Sequence, residues 1–330
     1  MSKQSSFIFL FAALVFALVV SLVVNFVLTK QPIVPITTAQ TEILGRYNLN
    51  NLSGTFSHSF FTSETTGSEN SDFLSAVRAC QQGNYQQALA SYQKAAAAGD
   101  SDAMDNIGSI YANGQGVDQD YREAFIWYQK SAALGNVDAM YNVGVSYDDG
   151  LSVNEDDQQA MNWYLKAANQ GNSDAMNNMG LFYAHGRGIP QNYTQARIWF
   201  QKAANLGNIN GMNNIGLVYD KGYGVKSDYR KAITWYLKAM ELGNSDAMNN
   251  IGLYFARGGG GGAQDDAQAI LWLRKAAQQG NSNAMFNLAV AYHNSQGVGQ
   301  NDTQAKDWLI KAAQSGNQYV QNQLSNMPAD

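Results

Sequence analysis

Cysteine is nearly missing from this chain. Cys80 is the single thiol among 330 residues, which excludes an internal disulfide. It falls within a helical pattern and reads as a small buried hydrophobe. Histidine is almost as scarce: His58, His185 and His293 are scattered, and with no cysteine pair beside them there is no metal-ligand spacing. Charged residues make up only 14 % of the chain and sum to a formal −5 at pH 7, a balance that argues against general nucleic-acid affinity.

What the chain has is repetition. All six tryptophans, Trp127, Trp163, Trp199, Trp235, Trp272 and Trp308, stand in one recurring phrase, at separations of 36, 36, 36, 37 and 36 residues. A second phrase, written Asn-Ser-Asp-Ala-Met-Asn-Asn-Ile-Gly from Asn244, recurs from Asn136, Asn172, Asn208 and Asn281. A fixed period of this length means a stack of identical supersecondary units, each too small to bury its apolar face alone. Six full units run 101–136, 137–172, 173–208, 209–244, 245–281 and 282–317. A shorter helix pair over 71–100 precedes them as an atypical terminal unit, and residues 318–330 start another first helix that covers the last one.

The unit 173–208 shows the pattern. Asn172 or Ser173 caps a first helix, with Asp174 in its favourable first turn. Ala175, Met176, Met179, Gly180 and Tyr183 fall three and four residues apart on one side. Gly186 and Gly188 make the turn, and a second helix packs Tyr193, Ala196, Trp199, Phe200, Ala203 and Ala204 before Gly207 ends it in the left-handed cap position. Gly108, Gly144, Gly180, Gly216 and Gly252 occupy one helical site at a cost of roughly 1 kcal/mol each against Ala. That repeated cost predicts an approach too close for a side chain, and Ala289 in the sixth unit fits the same account. Each tryptophan is expected to fill the space between its own helix pair and a neighbour. The column Lys130, Lys166, Lys202, Lys238, Lys275 and Lys311 is expected to complement helix C-termini. The five-glycine run 258–262 predicts the loosest turn of the array, either a hinge or a surface insertion.

The N-terminus differs. From Phe7 to Leu28 run 22 residues without a charge, a helix of about 33 Å against a hydrocarbon core of about 30 Å. Residues 1–30 therefore read as a transmembrane anchor, with removal as a signal peptide as the alternative. Residues 31–70, with Pro32, Pro35 and many Ser, Thr, Asn and Gly, read as a flexible spacer. Phe56, Phe60 and Phe61 are unusual there.

Small-x2-3-Leu/Ile-Gly-x2-Tyr, then Gly-x-Gly-Val, then Tyr-x2-Ala-x2-Trp-Tyr-x-Lys-Ala-Ala-x2-Gly resembles the Sel-one-like repeat (SLR) family, cousins of the tetratricopeptide repeats. The resemblance covers about 85–317. It implies an all-α fold, a right-handed α-solenoid of antiparallel helix pairs with a concave binding face. It also implies adaptor and scaffold roles, often at or beyond the bacterial inner membrane. Cysteine-rich members similar to β-lactam binders or hydrolases carry a disulfide in each unit, and this chain departs from that branch. The family supplies no catalytic residue and no cofactor.

By the same resemblance, first helices line the concave side. Asn106, Asn142, Asn178, Asn214, Asn250 and Asn287 form a column about 140° from the centre of the packed face, counted at 100° per residue, and are expected to point outward. They read either as a ladder for an extended peptide backbone or as amides that solvate the face or bond to adjacent turns. Tyr141, Asn177, Asn213, Asn249 and Phe286 are companion sites. His185, Lys221 and Arg257 share one position near the end of the first helix; Lys221 and Arg257 could clamp a carboxylate or acidic segment over the amide ladder, or the column is ordinary solvated charge. Asp148, Asp149, Glu155, Asp156 and Asp157 form an acidic cluster suited to a cation or basic partner, or again a solvated face. The Gly-x-Gly pairs lack the preceding strand of a phosphate loop and read as turns.

These features point to a membrane-tethered scaffold that holds a protein or extended peptide in its groove. The repeats are expected to be periplasmic, or secreted after cleavage. An inhibitor or immunity-type protein neutralising a secreted effector is the second reading. An enzyme is the remote third, since no catalytic constellation, metal site or small-molecule cofactor site is visible.

Overall fold

A computed structural model of the chain describes residues 71–325; the anchor and spacer expected over 1–30 and 31–70 lie outside it. The described residues form an all-helical solenoid of fifteen α-helices, with no strand among them. They fall into two compact units, one ending at Gly211 and the next beginning at Met212. Within the first unit lie α1 (Ser71–Gln81), α2 (Tyr85–Ala97), α3 (Ser101–Asn113), α4 (Tyr121–Ala133), α5 (Val137–Asp148), α6 (Asp157–Asn169), α7 (Ser173–His185) and α8 (Tyr193–Asn205). The boundary falls in α9 (Ile209–Lys221). The second unit continues with α10 (Tyr229–Glu241), α11 (Ser245–Ala256), α12 (Asp266–Gln278), α13 (Ser282–Asn294), α14 (Asp302–Gln314) and α15 (Gln318–Ser325).

Odd-numbered helices open each repeat and even-numbered helices close it. The opening helices are capped by Asp100, Asn136, Asn172, Asn244 and Asn281, whose side chains accept from the backbone N–H three residues on. Their partners end at glycines in the left-handed region, such as Gly207 at φ +86°, which L-residues avoid. The Gly-x-Gly pairs are turns: Gly186 (φ +70°) and Gly188 (φ +64°) carry the chain from α7 to α8. The run 258–262 folds into a single 3₁₀ turn over Gly259–Gly261, and a Cβ on Gly259 would overlap the Tyr254 ring.

The helical glycines behave as their recurrence predicts. A Cβ on Gly108, Gly144 or Gly216 would sit 2.6–2.7 Å from a ring carbon of Tyr128, Tyr164 or Tyr236, and one on Gly180 would meet Phe200 at 2.5 Å. These rings are buried, and the glycine lets the two helices of a repeat close on them. The residue that fills this space therefore follows the tryptophan by one, and the tryptophans lie further out than expected. Trp199 is buried and the other five are half-buried. Each of the six carries a lysine ammonium over its ring, 3.8–4.5 Å from the centroid, supplied three residues later. The lysine column stands in the last turns of its helices, as expected, but its amino groups are spent on indole faces.

Candidate functional site

Each opening helix presents polar residues along one stripe, and the structure joins them into rungs between successive repeats. The first rung lies at the helix N-termini. Asn136, Asn172, Asn208, Asn281 and Asn317 use Oδ1 to cap their own helix. Their Nδ2 reaches the preceding repeat: Asp102 at 2.7 Å, Asp138 at 3.1 Å, Asp174 at 2.8 Å, Asp246 at 2.7 Å and Asn283 at 3.0 Å. One amide thus satisfies an orphan backbone donor and ties two repeats together.

Six residues further on comes the asparagine column. Asn142 donates from Nδ2 to Asp105 at 2.9 Å, Asn250 to Asn213 at 3.0 Å, and Asn287 to Asn249 at 2.8 Å; Asn178 is hydrogen-bonded to Tyr141. The outward orientation expected for the column fails at Asn142 and Asn287, which are buried, and at their companions Tyr141, Asn177 and Asn249, also buried. Asn106, Asn178, Asn213, Asn214, Asn250 and Phe286 are half-buried. The expectation considered one helix pair, whereas in a stack each opening helix also packs against the next, and the neighbour covers the flank where this column stands. Phe286 offers no acceptor and packs edge-on against Tyr319, ring centroids 5.5 Å apart.

Electrostatics differ from rung to rung. Where Asn250 and Asn287 pair with amides, Asn142 pairs with a carboxylate, and burial pushes the Asp105 carboxyl up to about 7; the Asn142 hydrogen bond works against that, and Asp138 and Asp102 add to it. The Asn142 Oδ1 is buried without a partner.

The third rung stands at the helix C-termini. Arg257 grips Asp220 through Nη2 at 3.0 and 3.3 Å, while Lys221 approaches the same carboxylate at 3.5 Å. Two of the three basic residues singled out in the sequence are thus brought together on an internal carboxylate, Asp220, that sequence reasoning missed. His185 is half-buried in the other unit. Burial pushes the Lys221 ammonium below its usual range, Arg257 adds to that, and Asp220 only partly offsets it.

The acidic cluster also has a partner from its own chain. Arg187, in the turn after α7, reaches Asp148 at 2.6 Å, Asp157, and Glu155 at 3.6 Å, with its guanidinium 4.5 Å over the Phe182 ring. Tyr164 also donates to Asp148, at 2.8 Å. Neither Arg187 nor the Asp148 interaction was foreseen. The available signal was a lone arginine in a turn that follows five carboxylates by about one repeat's length. Among the described residues no group of three or more His, Cys, Asp or Glu could hold a metal, and no helix is long and apolar enough to cross a membrane.

Comparison with known proteins agrees with this architecture. The Sel1 repeat pattern matches residues 78–100, 101–136, 137–172, 173–208, 209–244, 245–281 and 282–317. Among solved structures, a Sel1 repeat protein from Oxalobacter formigenes is 31% identical, with TM-score 0.68, over 73% of this chain and 96% of its own. The protein c5321, a protective antigen of uropathogenic Escherichia coli strains with an SLR fold, is 32% identical, with TM-score 0.61. That match covers 77% of this chain, which spans only 55% of that protein. Among curated proteins none matches.

Proposed function

The chain belongs to the Sel1 repeat family, and from that premise we propose that it is a membrane-tethered binding scaffold. It holds an extended polypeptide partner along the stripe of its opening helices. The observation that carries this reading is the half-used amide rung. Asn250 donates to Asn213, yet Asn213 Nδ2 and Asn250 Oδ1 take no partner among the described residues, and both side chains are only half-buried. A donor and an acceptor held side by side match the N–H and C=O of a peptide group, and the hydrogen bond between the two amides fixes their orientation in advance. Tethering rests on the uncharged run from Phe7 to Leu28.

Site-specific photo-crosslinking in cells tests the groove. A crosslinker at 213 in the full chain should form a discrete protein adduct, and one at exposed Gln159 on α6 should not. Equal adducts at both positions would defeat the reading. Tethering is tested separately: the full chain should stay in the membrane pellet after an alkaline wash, and a chain starting at 31 should not.

A further inference from the structure

The third rung is unbalanced. Two cations, Lys221 and Arg257, share one carboxylate, Asp220, with side chains 23%, 25% and 4% exposed. Downstream, Lys221, Lys226, Arg230 and Lys231 stand within eleven residues that hold a single acid, Asp228, and Asp228 is paired with Lys231 at 3.3 Å. In a chain of net −5 this segment carries an excess of positive charge.

A second observation concerns Tyr236. Its side chain is fully buried, its hydroxyl has no hydrogen-bond partner, and it feels the charges of both Asp220 and Arg257. Two repeats earlier the corresponding hydroxyl, Tyr164, is satisfied by the corresponding carboxylate, Asp148. Asp148 holds Arg187 through Oδ1 and takes that hydroxyl on Oδ2, whereas Asp220 presents both oxygens to Arg257 and one of them to Lys221, and a buried donor is left idle at a free-energy cost.

We propose that the Lys221–Asp220–Arg257 rung receives an Asp or Glu side chain from an extended partner segment, a reading that rests on the groove function above. The incoming carboxylate takes the guanidinium and ammonium, and Asp220 turns to accept from the Tyr236 hydroxyl, the pairing that Tyr164 and Asp148 already show. The exchange leaves two carboxylates for two cations and satisfies the idle hydroxyl. The free arms of Asn213 and Asn250 stand seven residues earlier on the same helix stripe, about 10 Å away, or about three residues of extended chain. The partner's acidic side chain therefore falls three residues from the peptide group that the amides read.

The test uses the full chain and a positional-scanning library of octapeptides, acetylated and amidated so that no terminal charge remains. Asp or Glu should be selected at one position. Lys221→Gln with Arg257→Gln should weaken the acidic peptides by about tenfold or more and leave neutral ones unchanged. Tyr236→Phe gives the more specific result, because it removes a group that bonds to nothing in the free protein. It should leave the melting temperature unchanged or raised, yet weaken the acidic peptides several-fold. The inference fails if octapeptides bind without acidic preference, or if the preference survives Lys221→Gln and Tyr236→Phe; in either case the groove reading stands. If no octapeptide binds at all, the groove reading fails with it.

Discussion

Asn142 donates from Nδ2 to the Oδ1 of Asp105, 37 residues earlier and 2.9 Å away, and both side chains are buried. At the position of Asp105 the next repeats carry Tyr141, Asn177, Asn213 and Asn249, so only the first repeat places an ionisable carboxyl there. The unfolded carboxyl titrates near 3.9, about three units below its folded position. Between these values the folded chain holds a proton that the unfolded chain has lost. The contribution of Asp105 to stability is therefore full below about pH 4, is lost as pH rises towards 7, and changes no further above. Asp105→Asn supplies the amide used elsewhere in the column, whose Nδ2 can donate to the idle Oδ1 of Asn142. The substitution should raise the melting temperature at pH 8, change it little at pH 4, and remove part of the slope between. An unchanged slope would show that the Asp105 carboxyl titrates alike in the folded and unfolded chain.

The glycine column makes a graded prediction. Gly180→Ala gains about 1 kcal/mol in helix propensity. It drives a methyl into the rigid Phe200 ring at 2.5 Å, an overpacking that costs about 1–3 kcal/mol. Gly252→Ala meets the more adaptable Leu273 at 2.9 Å and should cost less. The sixth repeat has made this exchange itself, pairing Ala289 with Leu309, both buried. Denaturant melts of the two variants should separate in that order; equal costs would mean that the aromatic rings shift freely.

These contacts show what could be read in advance. The period, the turns, the caps and the need for glycine opposite a large side chain follow from chemistry that recurs every 36 residues, because each is a local requirement met within one helix pair. The rungs were not visible in the same way. Asn142 finds Asp105 and Asn287 finds Asn249 at offsets of 37 and 38, each one residue beyond its own repeat of 36 or 37, so alignment of the units places partners in adjacent columns and hides the bond. The tryptophans misled for a related reason. They are the most conspicuous residues of the repeat, but the close approach of helices is filled by Tyr128, Tyr164, Phe200 and Tyr236, whose single-ring side chains fit against a glycine.

Asn172 does two jobs that substitution can separate. Its Oδ1 accepts from the Ala175 N–H at 2.8 Å and its Nδ2 donates to Asp138 at 3.1 Å. Asn172→Ser keeps the first and loses the second, and Asn172→Ala loses both. The alanine change should cost about 1–2 kcal/mol, with serine between it and the parent. If serine and alanine were equally costly, the tie to the preceding repeat would account for the whole effect.

Arg187 carries the last prediction. It faces three carboxylates, Asp148, Asp157 and Glu155, and lies over Phe182; the Arg187 and Asp148 side chains are only 19% and 15% exposed. Removing it as Arg187→Ala leaves Asp148 against Asp157 and Asp149 with no cation among them. Burial already holds Asp148 above the usual carboxylate range, and the loss of Arg187 would push it further up. The cost at pH 7 should be about 2–3 kcal/mol, below the 3–5 typical of a fully buried pair because solvent still reaches the site. The sign with pH is the reverse of that at Asp105. The arginine's contribution depends on ionised carboxylates, so the gap between the parent and Arg187→Ala should be full at pH 7 and should close as acid protonates them. Arg187→Lys should recover only part of the loss, since one ammonium cannot serve Asp148 and Asp157 in the forked geometry or lie flat on Phe182. Thermal melts of the three proteins at pH 7 and pH 4 decide the matter. A gap of equal size at both values would mean that Arg187 acts by packing on Phe182, and that the acidic cluster is indifferent to its charge.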